Sequence, residues 1–106
     1  MLSFFLILSI IIIACGREQV ASTGSFVDEF GNRFVLNADS TATIQFAGMN
    51  EVESSYWHIV RQPDGIVYAS IYYNGNPEYY YLTNNKLYRY KKDMLNNRNA
   101  IEVNYE

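Results

Sequence analysis

The chain has 106 residues, enough for one domain, and its 8 Lys and Arg against 11 Asp and Glu give a formal net charge of −3. This mild acidity argues against a nucleic-acid-binding protein, because such proteins usually present a basic surface to the phosphates. One Cys and one His exclude a disulfide framework and argue against a zinc site, which needs three or four clustered ligands. We therefore predict that the protein uses no metal and no other cofactor.

An apolar segment opens the chain. Residues 2–14 read LSFFLILSIIIIA and carry no charge. A helix that spans a bilayer needs about 20 apolar residues, whereas the core of a signal peptide needs only about 7–15. The segment leads into Ile12-Ile13-Ala14-Cys15, with an aliphatic residue three positions before the Cys and a small residue directly before it. This motif resembles a bacterial lipobox. The resemblance implies cleavage before Cys15 and attachment of diacylglycerol to its thiol; the alternative is a plain secretory signal that contains a Cys.

We accordingly predict a signal peptide over residues 1–14 and a lipidated Cys with a tether over residues 15–24. The stretch from Gly16 to Gly24, GREQVASTG, is small and polar, as is typical of a flexible linker. Two or more acyl chains would hold the protein stably on a membrane. Gly16, where an Asp would favour inner-membrane retention in enterobacterial lipoproteins, points to the bacterial outer membrane by the same resemblance.

Residues 25–106 are predicted to form a single all-β domain. Short β-rich runs alternate with turn signals every 8–12 residues or so, which is typical of a β-sandwich or barrel. The predicted strands are Ser25–Phe30, Arg33–Ala38, Ala42–Ala47, Ser55–Gln62, Ile66–Tyr73, Glu78–Thr83, Lys86–Lys91 and Ala100–Tyr105. Between the last two, Asp93-Met94-Leu95 is compatible with one helical turn. About eight short antiparallel strands favour an up-and-down meander, either a small lipocalin-like barrel or a strongly curled sheet.

Turn lengths set the register of the strands, and the register decides which side chains share a face. The predicted turns are Gly31-Asn32, Gln62–Gly65, a loop over residues 74–77, and Asn84-Asn85. The last three pair Trp57 with Ile71, Ile71 with Tyr80 and Leu82 with Leu87. One continuous, nearly all-apolar face results, and we assign it to the core. Its members are Trp57, Ile59, Val67, Ala69, Ile71, Tyr80, Leu82 and Leu87, joined by Val27, Phe34, Leu36, Ile44 and Phe46 from the first half and by Ile101 and Val103 from the last strand.

Tyrosine is the unusual component of this sequence. There are 10 Tyr residues, and all of them follow position 55. The predicted register places seven of them on the face opposite the core, where they are joined by His58, Val60 and Ser70. These seven are Tyr56, Tyr68, Tyr72, Tyr79, Tyr81, Tyr88 and Tyr90. Tyr offers a large contact area and a polar tip, so these residues are our predicted ligand- or partner-binding set. The alternative is that they serve the sheet itself through cross-strand aromatic pairs or by filling a barrel.

A second resemblance supports the fold. The elements that carry it are Gly24-Ser25-Phe26, Gly31-Asn32, the run Leu36-Asn37-Ala38-Asp39-Ser40-Thr41-Ala42, and Trp57. In this order they resemble the opening of small lipocalin-like lipoproteins of the Bacteroides group, over about half of the mature chain. The resemblance implies a lipocalin-like barrel and, because many members of that group have no assigned activity, implies little about function.

No arrangement of residues predicts catalysis. His58 is the only His, and no nucleophile-elbow motif is present. The carboxylates are scattered without the spacing of a calcium loop, and no glycine-rich phosphate loop occurs. The basic run of Arg89, Lys91, Lys92 and Arg98 is compatible with anionic headgroups or glycans, or simply with a charged strand that resists edge pairing. We therefore predict that the protein is not an enzyme.

Together these features predict a lipid-anchored, non-catalytic binding module of the cell envelope. Its predicted partners are the membrane, through the N-terminal lipid, and an envelope protein, a glycan or a small apolar ligand, with no nucleic acid. Two alternatives remain open at this stage. One is an envelope inhibitor of lysozyme or another hydrolase, since small periplasmic eight-stranded barrels have that role. The other is a structural accessory lipoprotein.

Overall fold

The computed structural model describes residues 23–106, so the predictions for the signal peptide, Cys15 and most of the tether lie outside the described residues. The elements, in chain order, are β1 (Gly24–Asp28), β2 (Arg33–Leu36), β3 (Thr41–Gln45), β4 (Glu53–Arg61), β5 (Val67–Tyr73), β6 (Asn76–Thr83), β7 (Lys86–Tyr88), α1 (Lys91–Leu95) and β8 (Ile101–Tyr105). Each strand pairs with its sequence neighbours, and β1 also pairs antiparallel with β8, which closes the sheet into a barrel. The predicted up-and-down meander of about eight strands is confirmed, in its closed form.

Each of the eight strands is hydrogen-bonded to two neighbouring strands within the described residues. The barrel therefore has no open sheet edge that another segment must cover. Because the closed sheet and the core that it encloses both lie within the described residues, we expect residues 23–106 to fold as a unit. Within the described part of the chain, no helix is long and apolar enough to cross a membrane.

The register of the second half follows its turns. Asn84 and Asn85 both have positive φ, 51° and 62°, which is the type I′ geometry that suits a two-residue hairpin. The predicted pairing of Leu82 with Leu87 across this turn is confirmed. The predicted pairing of Trp57 with Ile71 is confirmed as well.

The turn between β5 and β6 is shorter than predicted. Tyr73 pairs with Asn76, so only Asn74 and Gly75 form the turn, whereas the sequence predicted a loop over residues 74–77. The pairing of Ile71 with Tyr80 still holds, because β6 accommodates the additional residues in an irregularity between Ile71 and Tyr73. Pro77 and Glu78 lie in this irregular part of β6 and have no partner in the regular register with β5.

The barrel interior is filled by side chains. The buried residues that form it are Phe26, Phe34, Leu36, Ala42, Ile44, Trp57, Ala69, Ile71, Tyr80, Leu82 and Leu87. Phe46, Val103 and Ile101 pack against them from partly exposed positions. The rings of Phe26 and Phe34 stack at 4.9 Å between centroids, and Phe34 meets the edge of Tyr80 at 5.1 Å. Most of the predicted core is thus confirmed, including the inward-facing Tyr80.

The prediction for Val27 was wrong, because β1 and β2 are joined by the four residues 29–32 and not by Gly31-Asn32 alone. The observed register pairs Phe26 with Phe34 and Val27 with Arg33. A two-residue turn would have shifted the pairing by an odd number of positions, which moves the other set of side chains inward. Phe26 is therefore fully buried, and Val27 faces outward.

Ile59 was also predicted to be buried, yet 40% of its surface is exposed. On β4, the pairing with β3 ends at Tyr56, and the residues from Trp57 onward pair only with β5. The tip of the β4–β5 hairpin therefore extends past β3. Ile59 therefore points inward at a position where β3 no longer lies beside β4, and its side chain remains partly exposed.

Candidate binding surface

The structure divides the seven predicted tyrosines into three groups. The first group, Tyr68, Tyr81 and Tyr88, faces away from the barrel core but is covered by α1. Their exposed fractions are 0%, 6% and 5%, and Met94 of the helix packs on them with 4% exposed. The predicted helical turn at residues 93–95 is confirmed as part of α1. These three tyrosines form a second small core on the outside of the sheet.

Glu78 serves as the polar partner of this second core. The hydroxyl groups of Tyr68 and Tyr81 donate hydrogen bonds to its carboxylate, at 3.2 Å and 3.4 Å. Ser70, which is fully buried on the same face, donates to the carbonyl oxygen of Pro77 at 2.7 Å. The irregular start of β6 thus supplies the hydrogen-bond acceptors for these three buried hydroxyl groups.

The Tyr68 hydroxyl provides a test of this burial. Burial, followed by the nearby Glu78 carboxylate, raises the pKa of Tyr68 to about 12. Since a free Tyr has a pKa of about 10, the stability that the neutral phenol contributes is complete below about pH 10 and is lost as the pH rises towards 12. We expect the melting temperature to fall across this interval, and to fall less in Tyr68→Phe. Burial also raises the pKa of Tyr80 to about 12, so a residual fall remains. Tyr56→Phe is the matched control, and an unchanged pH profile in Tyr68→Phe would contradict the assignment.

The second group, Tyr79 and Tyr90, lies around the side chain of Arg89. Its guanidinium carbon lies 3.3 Å from the centroid of the Tyr79 ring and 5.0 Å from that of Tyr90, and its Nη1 donates to the Tyr79 carbonyl oxygen at 2.8 Å. The Tyr79 ring also meets Tyr73 and Tyr80, each at 5.0 Å between centroids. Tyr79 is therefore directed towards the barrel core rather than along the outer face, and Tyr90 lies in the loop after β7.

The third group, Tyr56 and Tyr72, is the part of the set that remains on an open sheet surface. The two rings meet edge to face at 5.8 Å between centroids. Tyr56 is 60% exposed and Tyr72 is half-buried. His58 is exposed on β4 beside Tyr56.

Charged groups border the surface around this pair: Thr41 Oγ1 donates a hydrogen bond to Asp39 Oδ1 at 2.6 Å, and Arg33 lies directly opposite Gln45. The outward side chains of the surface itself carry no formal charge. We call it the uncharged face and define it as the outward-facing positions of β3, β4 and β5. Its residues are Thr41, Thr43, Gln45, Ser54, Tyr56, His58, Val60, Tyr68, Ser70 and Tyr72. None of them is Asp, Glu, Lys or Arg, although these types make up 18% of the chain. Sequence reasoning identified the tyrosines of this face and missed its β3 part, although the alternation of Thr41, Thr43 and Gln45 with buried residues was a readable signal.

The rest of the barrel exterior differs in this respect. At the border of the uncharged face, Arg33 of β2 lies opposite Gln45 and pairs with Glu106 at 2.7 Å; farther along the sheet, Lys86 of β7 pairs with Glu102 of β8 at 2.5 Å. Charged residues are depleted in the centres of binding interfaces, where Tyr is enriched. The distribution of charge therefore distinguishes the uncharged face from the remaining surface.

A cleft of about 190 Å³ lies on the outside of the barrel, next to the β3–β4 loop. It is lined by Val27, Gly31, Arg33, Gln45, Phe46, Ala47, Gly48 and Met49. None of the predicted tyrosines contributes to it. Within residues 23–106, no group of three or more His, Cys, Asp or Glu side chains is arranged to hold a metal ion.

Comparison with known proteins gives no assignment: no family model, no curated protein and no solved structure matches the chain.

Proposed function

We propose that this chain is a lipid-anchored, non-catalytic binding module of the bacterial cell envelope. The observation that carries the proposal is the uncharged face, with Tyr56 exposed beside Tyr72 on rigid strands. Such a surface offers contact area at little entropic cost, because each Tyr side chain has only two rotatable angles to fix. The lipobox-like motif at Cys15 and the polar segment after it support the membrane attachment.

A non-catalytic role agrees with the surroundings of the only His. His58 stands exposed on the uncharged face, and its side chain makes no hydrogen bond within the part of the chain that the structure describes. A general base in an acyl-transfer site would be oriented by a third group and would approach a nucleophile. The uncharged face offers contact groups instead: rings, hydroxyls and an amide.

The anchor is tested by metabolic labelling. Full-length protein made in a bacterium with a palmitate analogue should carry the label and sediment with membranes, whereas Cys15→Ala should remain unlabelled and lose stable attachment, because the diacylglycerol is attached to the Cys15 thiol. Cys15→Ser is the conservative control and should behave like Cys15→Ala. Wild-type protein without label would contradict the lipoprotein assignment.

The binding face is tested separately, on the barrel of residues 23–106 and isolated, washed cell-envelope material. We expect the wild-type barrel to sediment with the envelope and Tyr56→Ala/Tyr72→Ala to stay in solution, since this double substitution removes the aromatic pair from the uncharged face. Tyr90→Ala is a matched control, because Tyr90 is 55% exposed but lies away from this face. Equal sedimentation of all three proteins would contradict the proposed use of the face.

A further inference from the structure

The uncharged face carries a narrow range of chemical groups. Once the positions covered by α1 are set aside, its exposed members offer phenol rings, aliphatic hydroxyls, one amide and one imidazole. None of these members carries an ammonium or guanidinium group that would select a phosphate or carboxylate. The charged groups at the border already have partners in the barrel, Arg33 in Glu106 and Asp39 in Thr41. A ligand that matches this surface should therefore be polar and uncharged.

The groups are also placed close to one another. Thr43 pairs directly with Ser54 across β3 and β4, and Thr41 pairs with Tyr56. Directly opposed residues on neighbouring strands have Cβ atoms about 4.5–5.5 Å apart. The hydroxyl groups of Thr43 and Ser54 thus adjoin the exposed ring of Tyr56, which meets Tyr72 on the following strand at 5.8 Å. Rings and hydroxyls alternate across three neighbouring strands.

Aliphatic anchors are missing from the exposed part of this face. The exposed large aliphatic side chains Met49, Val52 and Leu95 lie in loops or in α1, and Ile59 points to the other side of β4. Val60, the aliphatic member of the face, packs against the tyrosines under α1. A lipid acyl chain would therefore find no aliphatic counterpart on the exposed part of this face. A surface of rings and hydroxyls instead suits a molecule that has apolar C–H faces and many hydroxyl groups.

From these observations we infer that the uncharged face binds a neutral glycan. Pyranose rings would pack their C–H faces on Tyr56 and Tyr72 through dispersion contacts, and their hydroxyl groups would exchange hydrogen bonds with Thr43, Ser54 and His58. This inference rests on the proposed function, because it names the ligand class of the same face. It leaves the lipid anchor as an independent question.

The test uses the barrel of residues 23–106 labelled with ¹⁵N, and three neutral probes: cellohexaose, maltohexaose and chitohexaose. At least one of them should shift amide resonances of β3, β4 and β5 and leave those of β7 and β8 in place. Because truncation of an aromatic anchor costs more than about 1 kcal/mol at a binding centre, Tyr56→Ala and Tyr72→Ala should each weaken binding by about tenfold, and Tyr90→Ala should leave it unchanged. Polygalacturonate, an acidic glycan, should bind no more tightly than the neutral probes.

Three outcomes would overturn the inference. They are the absence of binding by all three hexasaccharides, resonance shifts centred outside β3–β5, and an equal loss of binding in Tyr90→Ala. A different result is that no hexasaccharide binds while the wild-type barrel sediments with envelope material and the Tyr56→Ala/Tyr72→Ala variant does not. In that case the glycan inference is wrong, the partner is a protein, and the proposed function stands. If a hexasaccharide binds but Cys15 carries no lipid, the anchor is wrong and the glycan inference stands.

Discussion

Replacing Tyr68 with alanine is expected to lower the free energy of unfolding by about 3–5 kcal/mol, the range measured when a large buried aromatic side chain is truncated. Tyr68 is fully buried between the sheet and α1, and its ring lies 5.5 Å from that of Tyr81. Tyr56→Ala should cost much less, about 0.5 kcal/mol, because the Tyr56 ring is mostly in contact with water. Two residues that look equivalent in the sequence pattern should thus differ several-fold in their effect.

Urea denaturation followed by circular dichroism measures both variants on one scale. Tyr68→Phe separates the ring from the hydroxyl: it retains the packing and removes the hydrogen bond to Glu78, so the expected loss is about 1 kcal/mol. If Tyr68→Ala were as mild as Tyr56→Ala, α1 would not cover the sheet as described.

Asp28→Ala is expected to cost about 2–3 kcal/mol, although Asp28 is a charged residue next to a surface turn. Asp28 is only 4% exposed. Its Oδ1 accepts hydrogen bonds from the backbone N–H groups of Phe30 and Asn32, both at 2.9 Å, and its Oδ2 accepts from the Asn32 side chain at 3.0 Å. Alanine leaves these donors without their partner. The Asn32 side-chain oxygen also accepts a hydrogen bond from the backbone N–H of Ala47. The loss of stability should therefore extend to the β3–β4 loop.

Asp28→Asn is the matched variant for this turn, since it keeps one carbonyl oxygen for the backbone donors and should recover about half of the lost stability. Amide hydrogen exchange gives a local readout: the Asn32 and Ala47 amides should exchange faster in Asp28→Ala, while those of β5 and β6 follow the global stability. Unchanged exchange at both amides would show that the carboxylate does not hold this loop.

The same turn explains where prediction from the sequence failed. Asn84-Asn85 and the Gln62–Gly65 turn are recognisable from backbone preferences alone, and the registers that depend on them were predicted correctly. The β1–β2 turn depends on the Asp28 side chain, which takes the place of a backbone acceptor and lengthens the loop. An Asp at the end of a β-rich run is a usable signal for such a turn, but it competes with the stronger Gly31-Asn32 pattern.

The division of the tyrosines could not be predicted from alternation. Alternation states which side of a sheet a residue faces, and it placed Tyr68 and Tyr56 on the same side correctly. Whether that side meets water depends on where α1 packs. A helix of five residues has little intrinsic stability and is held by contacts such as that of Met94 with the tyrosines. Those contacts join residues distant in sequence, which local patterns do not report.

The pairing of β1 with β8 also has a consequence for the order of events during synthesis. Phe26 meets Tyr105, so the first strand acquires its second neighbour only when the last strand has been made. Until then β1 and β7 each present an unpaired edge, and closing so long a stretch of chain carries an entropic cost that slows folding. The sheet of a nascent chain therefore stays open until β8 has been made, and both unpaired edges are available to other chains during that time.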